Sequence, residues 1–373
     1  MLDHLPFRAA LPEYEQQAEA LLAAHKAAEP WAIQLIHERH PRFLDTTVRW
    51  LPLRISDEEI AAAPFDLDDA QLALARWYAF LDWSALTAYT ESVARDPVFE
   101  SAVEAVVNGD LTTLRQLLRE HPGLVAARSQ RVTPFDPPVH GATLLHYVAA
   151  NGVEGHRQKT PPNAVEIAEA LLAAGSDPNA LAHLYGGECA TMGLLVSSCH
   201  PAKAGLQAAL VDKLADYGAS VGALKTALVF NYRDAAEALH RRGAPVDDIA
   251  SAAGLGLLAD VQRMLPESTP EQRHSALALA AQLGQVDCVR ILLDAGEDPN
   301  RYNPPQHHAH STPLHQAALA GHLPVVKLLV ERGARLDIED KLWQGTPLGW
   351  AEHGGKADVA AYLRSEADCH FAL

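Results

Sequence analysis

Residues 311–337, STPLHQAALAGHLPVVKLLVERGARLD, constrain what this chain can fold into more than any other stretch. Thr312-Pro313-Leu314-His315 opens a helix, with Pro313 in the first turn, where a missing N–H removes no intrahelical bond. Ala317, Ala318 and Leu319 lay small and apolar residues along one stripe of that helix, and Gly321 ends it. Val325, Val326, Leu328 and Leu329 give a second helix its own apolar face, and Gly333 supplies the left-handed residue that stops it. Two short helices of this kind cannot bury both faces on their own. Such a unit needs copies of itself on either side.

Related text recurs. The segment AVEAVVNGDLTTLRQLL at 102–118 reads as a first unit, with Gly109 between its helices. A second opens at Thr143-Leu144-Leu145-His146 and closes at Gly175, and a third runs from about Thr191 to Gly218. Units at 224–243 and 249–265 lack the opening motif, 275–300 regains VRILLDAGEDPN, and 345–364 follows residues 311–337. TPLHxAAxxGH with VVxLLxxGA resembles the ankyrin repeat, which implies a mainly α solenoid of about eight units, the middle ones degenerate. The run DAQLALARWYAFLDWSAL at 69–86 resembles the helical leader in front of many bacterial ankyrin arrays, where Gly usually stands at the place of Ala79 and Glu at that of Trp77. The middle of the chain is similar to one bacterial subgroup of such proteins, a resemblance that carries no activity. The expected organisation is a helical cap over 1–100, repeats over 101–368 and a tail at 369–373.

Charge narrows the function classes. Lys+Arg 30 against Asp+Glu 47 leaves −17, which argues against nucleic acid and anionic membranes as partners and favours a protein or peptide with a basic surface. No apolar run approaches about 18 residues, so no membrane span is expected. The start, MLDHLPFRAALPEYEQQ, lacks the basic and apolar regions of a secretory signal, and Cys189, Cys199, Cys288 and Cys369 stand far apart. The expectation is a cytoplasmic protein with reduced thiols, three of them buried.

Two insertions interrupt the repeat. VEGHRQKTPPN at 153–163 and CHPAKAG at 199–205 both fall between the helices of adjacent units, where insertions often mark a binding rim. They bring His156, Arg157, Lys159, His200 and Lys203 together, and removing Arg157 and Lys159 is expected to weaken binding while sparing stability. The other reading is that long surface insertions add little closure cost. Finger loops are the second candidate: Tyr185, then Tyr302, His307 and His308 in RYNPPQHHAH, and Trp343 are expected to point at a partner as aromatic anchors or to pack on the next finger.

Catalytic signals are sparse. His307, His308 and His310 have no Cys, Asp or Glu at ligand spacing, and His37-Glu-Arg-His40 is not the zinc-hydrolase spacing. His146 and His315 hold the fourth place of the opening motif, which in ankyrin repeats is structural. A pairing of His146 with Tyr147 or Glu154 is open but nothing selects it. No Walker loop, nucleophile elbow or dinucleotide motif is present, so no cofactor or metal is expected. Two functions remain: a non-catalytic scaffold using its groove, fingers and rim insertions, or a cofactor-free enzyme or small-ligand binder with a pocket between the insertions of the second and third units.

Overall fold

The structure, a computed structural model, describes residues 2–370 apart from 49 and 151, with side chains of the last helix described through 367. The chain is mainly helical and divides into two compact units, 1–220 and 221–373. The boundary expected at residue 100 falls inside the first of these, within the first turn of the helix Val98–Asn108.

Five helices precede the repeats: α1 (Leu11–Lys26), α2 (Pro30–Arg39), α3 (Asp57–Ala62), α4 (Leu67–Trp77) and α5 (Trp83–Arg95). Local chemistry starts several of them. Ser56 and Asp66 each accept from the backbone N–H three residues on, while Glu59 and Asp69 reach back, so two capping boxes satisfy orphan donors. Leu21, Ile33, Ile36, Ile60, Leu74 and Leu86 meet in one apolar core. Ala79 follows α4 at φ 60°, a left-handed position that glycine takes more readily.

Three helix pairs follow in the first unit: α6 (Val98–Asn108) with α7 (Leu111–Glu120), α8 (Leu144–Val148) with α9 (Ala164–Ala173), and α10 (Thr191–Leu195) with α12 (Gln207–Asp216). The 199–205 insertion winds into a short helix, α11 (Cys199–Lys203). The packing is serial, α6 on α8 on α10 and α7 on α9 on α12. Each pair therefore lends an apolar face to the next. A two-stranded hairpin, β1 (Leu181–Leu184) and β2 (Gly187–Ala190), runs antiparallel with Leu184 opposite Gly187. Its turn residues Tyr185 and Gly186 both have positive φ, as a tight two-residue hairpin requires.

The second unit holds five pairs: α13 (Leu224–Val229) and α14 (Arg233–Arg241), α15 (Ile249–Leu255) and α16 (Leu258–Met264), α17 (Pro270–Gln282) and α18 (Val286–Asp294), α19 (Pro313–Ala320) and α20 (Leu323–Glu331), α21 (Pro347–His353) and α22 (Ala357–His370). First helices stack as α13, α15, α17, α19, α21, and second helices as α16, α18, α20, α22. Alanines at 252, 253, 276, 278, 280 and 281 are buried and let α15 and α17 approach closely. Gly254 lies inside α15, where a Cβ would press on Leu228 and Leu283.

The 311–337 stretch folds as its residues imply. Gly321 (φ 85°) caps α19, and Gly333 (φ 86°) follows α20 with open space around any added Cβ. Its carbonyl accepts from Asn300 Nδ2 at 3.0 Å. Gly333→Val is therefore expected to destabilise by about 1–2 kcal/mol or more through backbone strain alone. Gly333→Asn should do so by less, and thermal unfolding of the two variants checks the order.

Candidate functional site

The 153–163 insertion turns inward. Glu154 and Arg157 are fully buried, and around them the first unit assembles a polar core that draws on residues as distant as Phe7, Tyr89 and Glu100. His140 Nε2 donates to Glu154 Oε1 at 2.7 Å, and the Tyr147 hydroxyl donates to the same oxygen at 2.9 Å. Because Ala142 N–H donates to His140 Nδ1, the ring is the Nε2–H tautomer. Arg131 lies 3.4 Å from Glu154 Oε1, and Arg157 lies 3.3 Å from Oε2. Arg157 Nη2 also pairs with Glu100 Oε2 at 2.6 Å and donates to the Tyr89 hydroxyl at 2.7 Å. Tyr89 in turn donates to the Phe7 carbonyl at 2.5 Å.

Aromatic rings floor this core. The Arg131 guanidinium sits 3.9 Å from the Phe80 ring centre, and that of Arg157 4.3 Å from Phe7. The His156 ring stacks on His4, which stacks on Trp77. Two guanidiniums thus balance two carboxylates out of contact with water. Burial by itself raises a carboxyl pKa, yet Arg131, Arg157 and His140 hold Glu154 well below the usual range. Burial, then Arg131 and Arg157, push His156 well below the usual imidazole value.

The expectation that His156 and Arg157 line a binding rim is overturned. Arg157 has four internal partners and no free surface, and His156 is half-buried among rings. Lys159 alone of the three is exposed. In the other insertion Lys203 is exposed and His200 half-buried. The pairing of His146 with Tyr147 or Glu154 is not formed, since Glu154 is met by Tyr147 and His140. His146 instead takes up Thr143 N–H and Oγ1 through Nδ1 (3.2 and 2.8 Å) and donates from Nε2 to the Cys189 carbonyl at 3.2 Å. His315 repeats this geometry with Thr312 and the Gly345 carbonyl. Both rings fasten one pair to the next finger.

What the first unit does expose is a pair of adjoining fingers. Residues 129–142 form a loop closed by Ser129 N–H to Ala142 O (2.9 Å) and by a Val132–Val139 bridge. Arg128 Nη1 donates to both Gly141 O (2.8 Å) and Leu181 O (2.6 Å), and His183 N–H donates to His140 O at 2.8 Å. The loop and β1 are thereby locked together. The exposed large apolar side chains of these fingers are Phe135 (38% exposed), Val139 (38%), Leu181 (44%) and Tyr185 (60%). The Phe135 and Tyr185 rings meet edge to face at 5.6 Å, and the Tyr185 hydroxyl donates to the Gly152 carbonyl. Of these four, the sequence reading had only Tyr185. A Pro-rich tip flanked by Val132 and Val139 was the signal for the rest.

In the second unit Trp343 is 51% exposed, with its ring against His310 at 5.1 Å. Asp340 holds its loop by accepting from the N–H groups of Leu342, Trp343 and Gly345, each at 2.8 Å. Tyr302 is half-buried, its hydroxyl bonded to Glu339 O and its ring beneath the Lys341 ammonium at 4.0 Å. His308 is half-buried and bonds the Val229 carbonyl at 3.1 Å. His307 does not project: it is buried, another correction. The thiols differ too, with Cys288 buried, Cys189 half-buried and Cys199 exposed, while the Cys369 side chain lies outside the described residues. Among the described residues no three His, Cys, Asp or Glu groups are arranged to hold a metal, and no helix is long and apolar enough to cross a membrane.

Comparison with known proteins agrees with this architecture. The family model described as ankyrin repeats (3 copies) matches residues 302–371, and that for a single ankyrin repeat matches 140–183 and 272–304. Bovine cyclin-dependent kinase 4 inhibitor B is 38% identical over 120 residues, 24% of this chain and 91% of that protein. The chain belongs to the ankyrin-repeat family. Mouse ankyrin repeat and SAM domain-containing protein 6 is 35% identical over 101 residues, and there the match spans 27% of this chain but only 11% of the relative. The human ASB11 ankyrin repeat domain is a solved structure with TM-score 0.36 and 21% identity, over 72% of this chain and 96% of that one. These relatives are eukaryotic, and the matched segments speak to the repeat rather than to a bacterial subgroup.

For this ankyrin protein the buried core inverts the expected mutational pattern. Arg157→Ala leaves Glu100 and Glu154 without their shared cation, and breaking a buried pair from one side costs about 3–5 kcal/mol. Lys159→Ala should stay within about 0.5 kcal/mol of the parent. Denaturant unfolding of the two single variants separates them, and a small loss for Arg157→Ala would restore the rim reading.

Proposed function

We propose that the protein is a non-catalytic scaffold that binds another protein or peptide through its finger faces. The observation that supports this most is the exposed Phe135–Tyr185 ring pair, with Val139 and Leu181 exposed on the same two adjoining fingers. Large side chains held in place before binding lose little freedom on contact, and aromatic anchors dominate the energetics of interfaces. Trp343, with the His310 ring against it, is the corresponding anchor of the second unit. The bovine relative is by name an inhibitor of a cyclin-dependent kinase, a protein directed at a protein, and the same mode is proposed here.

The partner surface is basic in this reading, because a net charge of −17 speeds encounter with cations and repels acidic proteins. Lys159, His200 and Lys203 are given no part in that contact, since cations would repel a basic partner. The enzyme or small-ligand alternative loses its motive, since His156 and Arg157 are taken up inside the first unit. Cytoplasmic location fits a scaffold of this kind and remains part of the proposal.

Affinity capture with the parent chain and with Phe135→Ala/Tyr185→Ala tests the reading. Proteins retained by the parent should bind the double variant about 30-fold more weakly or worse, the loss that follows from removing one hot-spot anchor. The melting temperature should stay within a few degrees, as both rings are exposed. Equal retention of every captured protein by the two chains would refute the finger assignment.

A further inference from the structure

The finger at 301–311 of the second unit carries a buried side chain that its surroundings do not satisfy. His307 is 1% exposed, yet neither ring nitrogen has a hydrogen-bond partner. Buried polar atoms are nearly always paired, so two orphans on one ring call for a reason. The Asn303 Oδ1 atom in the same finger is orphaned as well. Next to His307, His308 takes φ 61°, a conformation that costs a non-glycine residue about 1–3 kcal/mol. The finger is thus held in a shape that its own residues oppose.

A few bonds hold it there. Asn303 N–H donates to Ser311 O (2.8 Å), Ser311 N–H to His308 O (3.0 Å), and His308 Nε2 to the Val229 carbonyl (3.1 Å). Two contacts pass the shape on to the neighbouring finger: Lys341 N–H donates to His310 O at 2.8 Å, and the Tyr302 hydroxyl donates to Glu339 O at 2.7 Å. The His310 ring then packs on Trp343 and Trp350. Opening of 301–311 therefore takes the His310 ring away from Trp343.

We propose that acid releases this finger by protonating His307, and that the Trp343 face is switched off as a result. A proton placed on the closed ring finds no acceptor. The groups that act on it are Lys225 on α13, Asp248 at the start of α15, His274 on α17 and His308 within the finger. Lys225 opposes the charge. Asp248 favours it, but its carboxylate already accepts from Ser251 N–H and Oγ at 2.8 and 3.0 Å and faces Lys225 at 4.0 Å. Desolvation, with Lys225 next, lowers the ring to about 4 in the closed finger. A released ring is hydrated and returns to the ordinary value of about 6.5.

The direction follows from linkage. The closed form's advantage is complete above pH 6.5, because the ring is then neutral in both states. It declines as pH falls from 6.5 towards 4, where only the open form takes up the proton. For one such group the opening equilibrium rises by at most tenfold per pH unit, about 20-fold between pH 7 and pH 5.

Hydrogen exchange of the full chain reads this directly. The amides of Asn303, Ser311 and Lys341, corrected for intrinsic rate and compared with those of Leu323–Glu331, should open about 20-fold more at pH 5 than at pH 7. His307→Leu keeps the site apolar and should reduce that ratio to less than about threefold, and His307→Gln serves if the leucine variant does not fold. A flat ratio in the parent, or a full rise in whichever variant folds, would overturn the proposal by removing the switch or assigning it to another histidine. The consequence for binding rests on the interface reading above. If the finger opens with acid but Trp343→Ala captures the same proteins as the parent, the interface reading of the second unit fails and the switch stands.

Discussion

A carboxylate with no access to water organises the first unit. Glu154 gathers His140, Tyr147, Arg131 and Arg157, and Arg157 carries the network on to Glu100 and Tyr89. Those residues belong to the finger loop, the second helix pair, its insertion, the first helix of the first pair and the last leader helix. Removing two cations and two anions from water is expensive, and their mutual attraction only roughly recovers it. What the cluster confers is geometry: its two guanidiniums and two carboxylates lie against one another and hold the segments that carry them. Once that arrangement forms, the leader, the first two pairs and the first finger are fixed relative to one another.

The consequence for function is a change of surface. An insertion spent on an internal core is not free to form a binding rim. The exposed apolar side chains stand instead on the fingers, where the Arg128 guanidinium and the His183 amide lock loop to hairpin. Serial packing of helix pairs supplies a rigid base, and loops on a rigid base are where recognition usually resides. Both units follow this division of labour, with apolar faces turned to the next pair and aromatic residues at the finger tips.

Local rules were legible in the sequence, and pairings between distant residues were not. Pro313, Gly321 and Gly333 act within one turn of their own positions, so their roles could be read from spacing. So could those of His146 and His315, whose first partner is the threonine three residues before. Arg157 read as a surface cation because arginine beside lysine and histidine usually is one. Its principal partner, Glu100, lies 57 positions away and gives no local signal. His307 looked exposed for a similar reason: a Pro-rich, His-rich loop suggests solvent, and only the fold shows that the ring is turned inward. Phe135 gives no local signal of its own, because its finger has no repeat motif around its tip.

The pair that joins the insertion to the first helix of the array is the sharpest point of attack. A double-mutant cycle on Glu100→Gln and Arg157→Met, read by urea unfolding, isolates their coupling from the general effect of each substitution. The account requires a favourable coupling of about 2 kcal/mol or more, as for a pair held in place inside a protein. A coupling within about 0.5 kcal/mol of zero would mean that the two side chains act independently, and the buried network would not be what holds the first unit together.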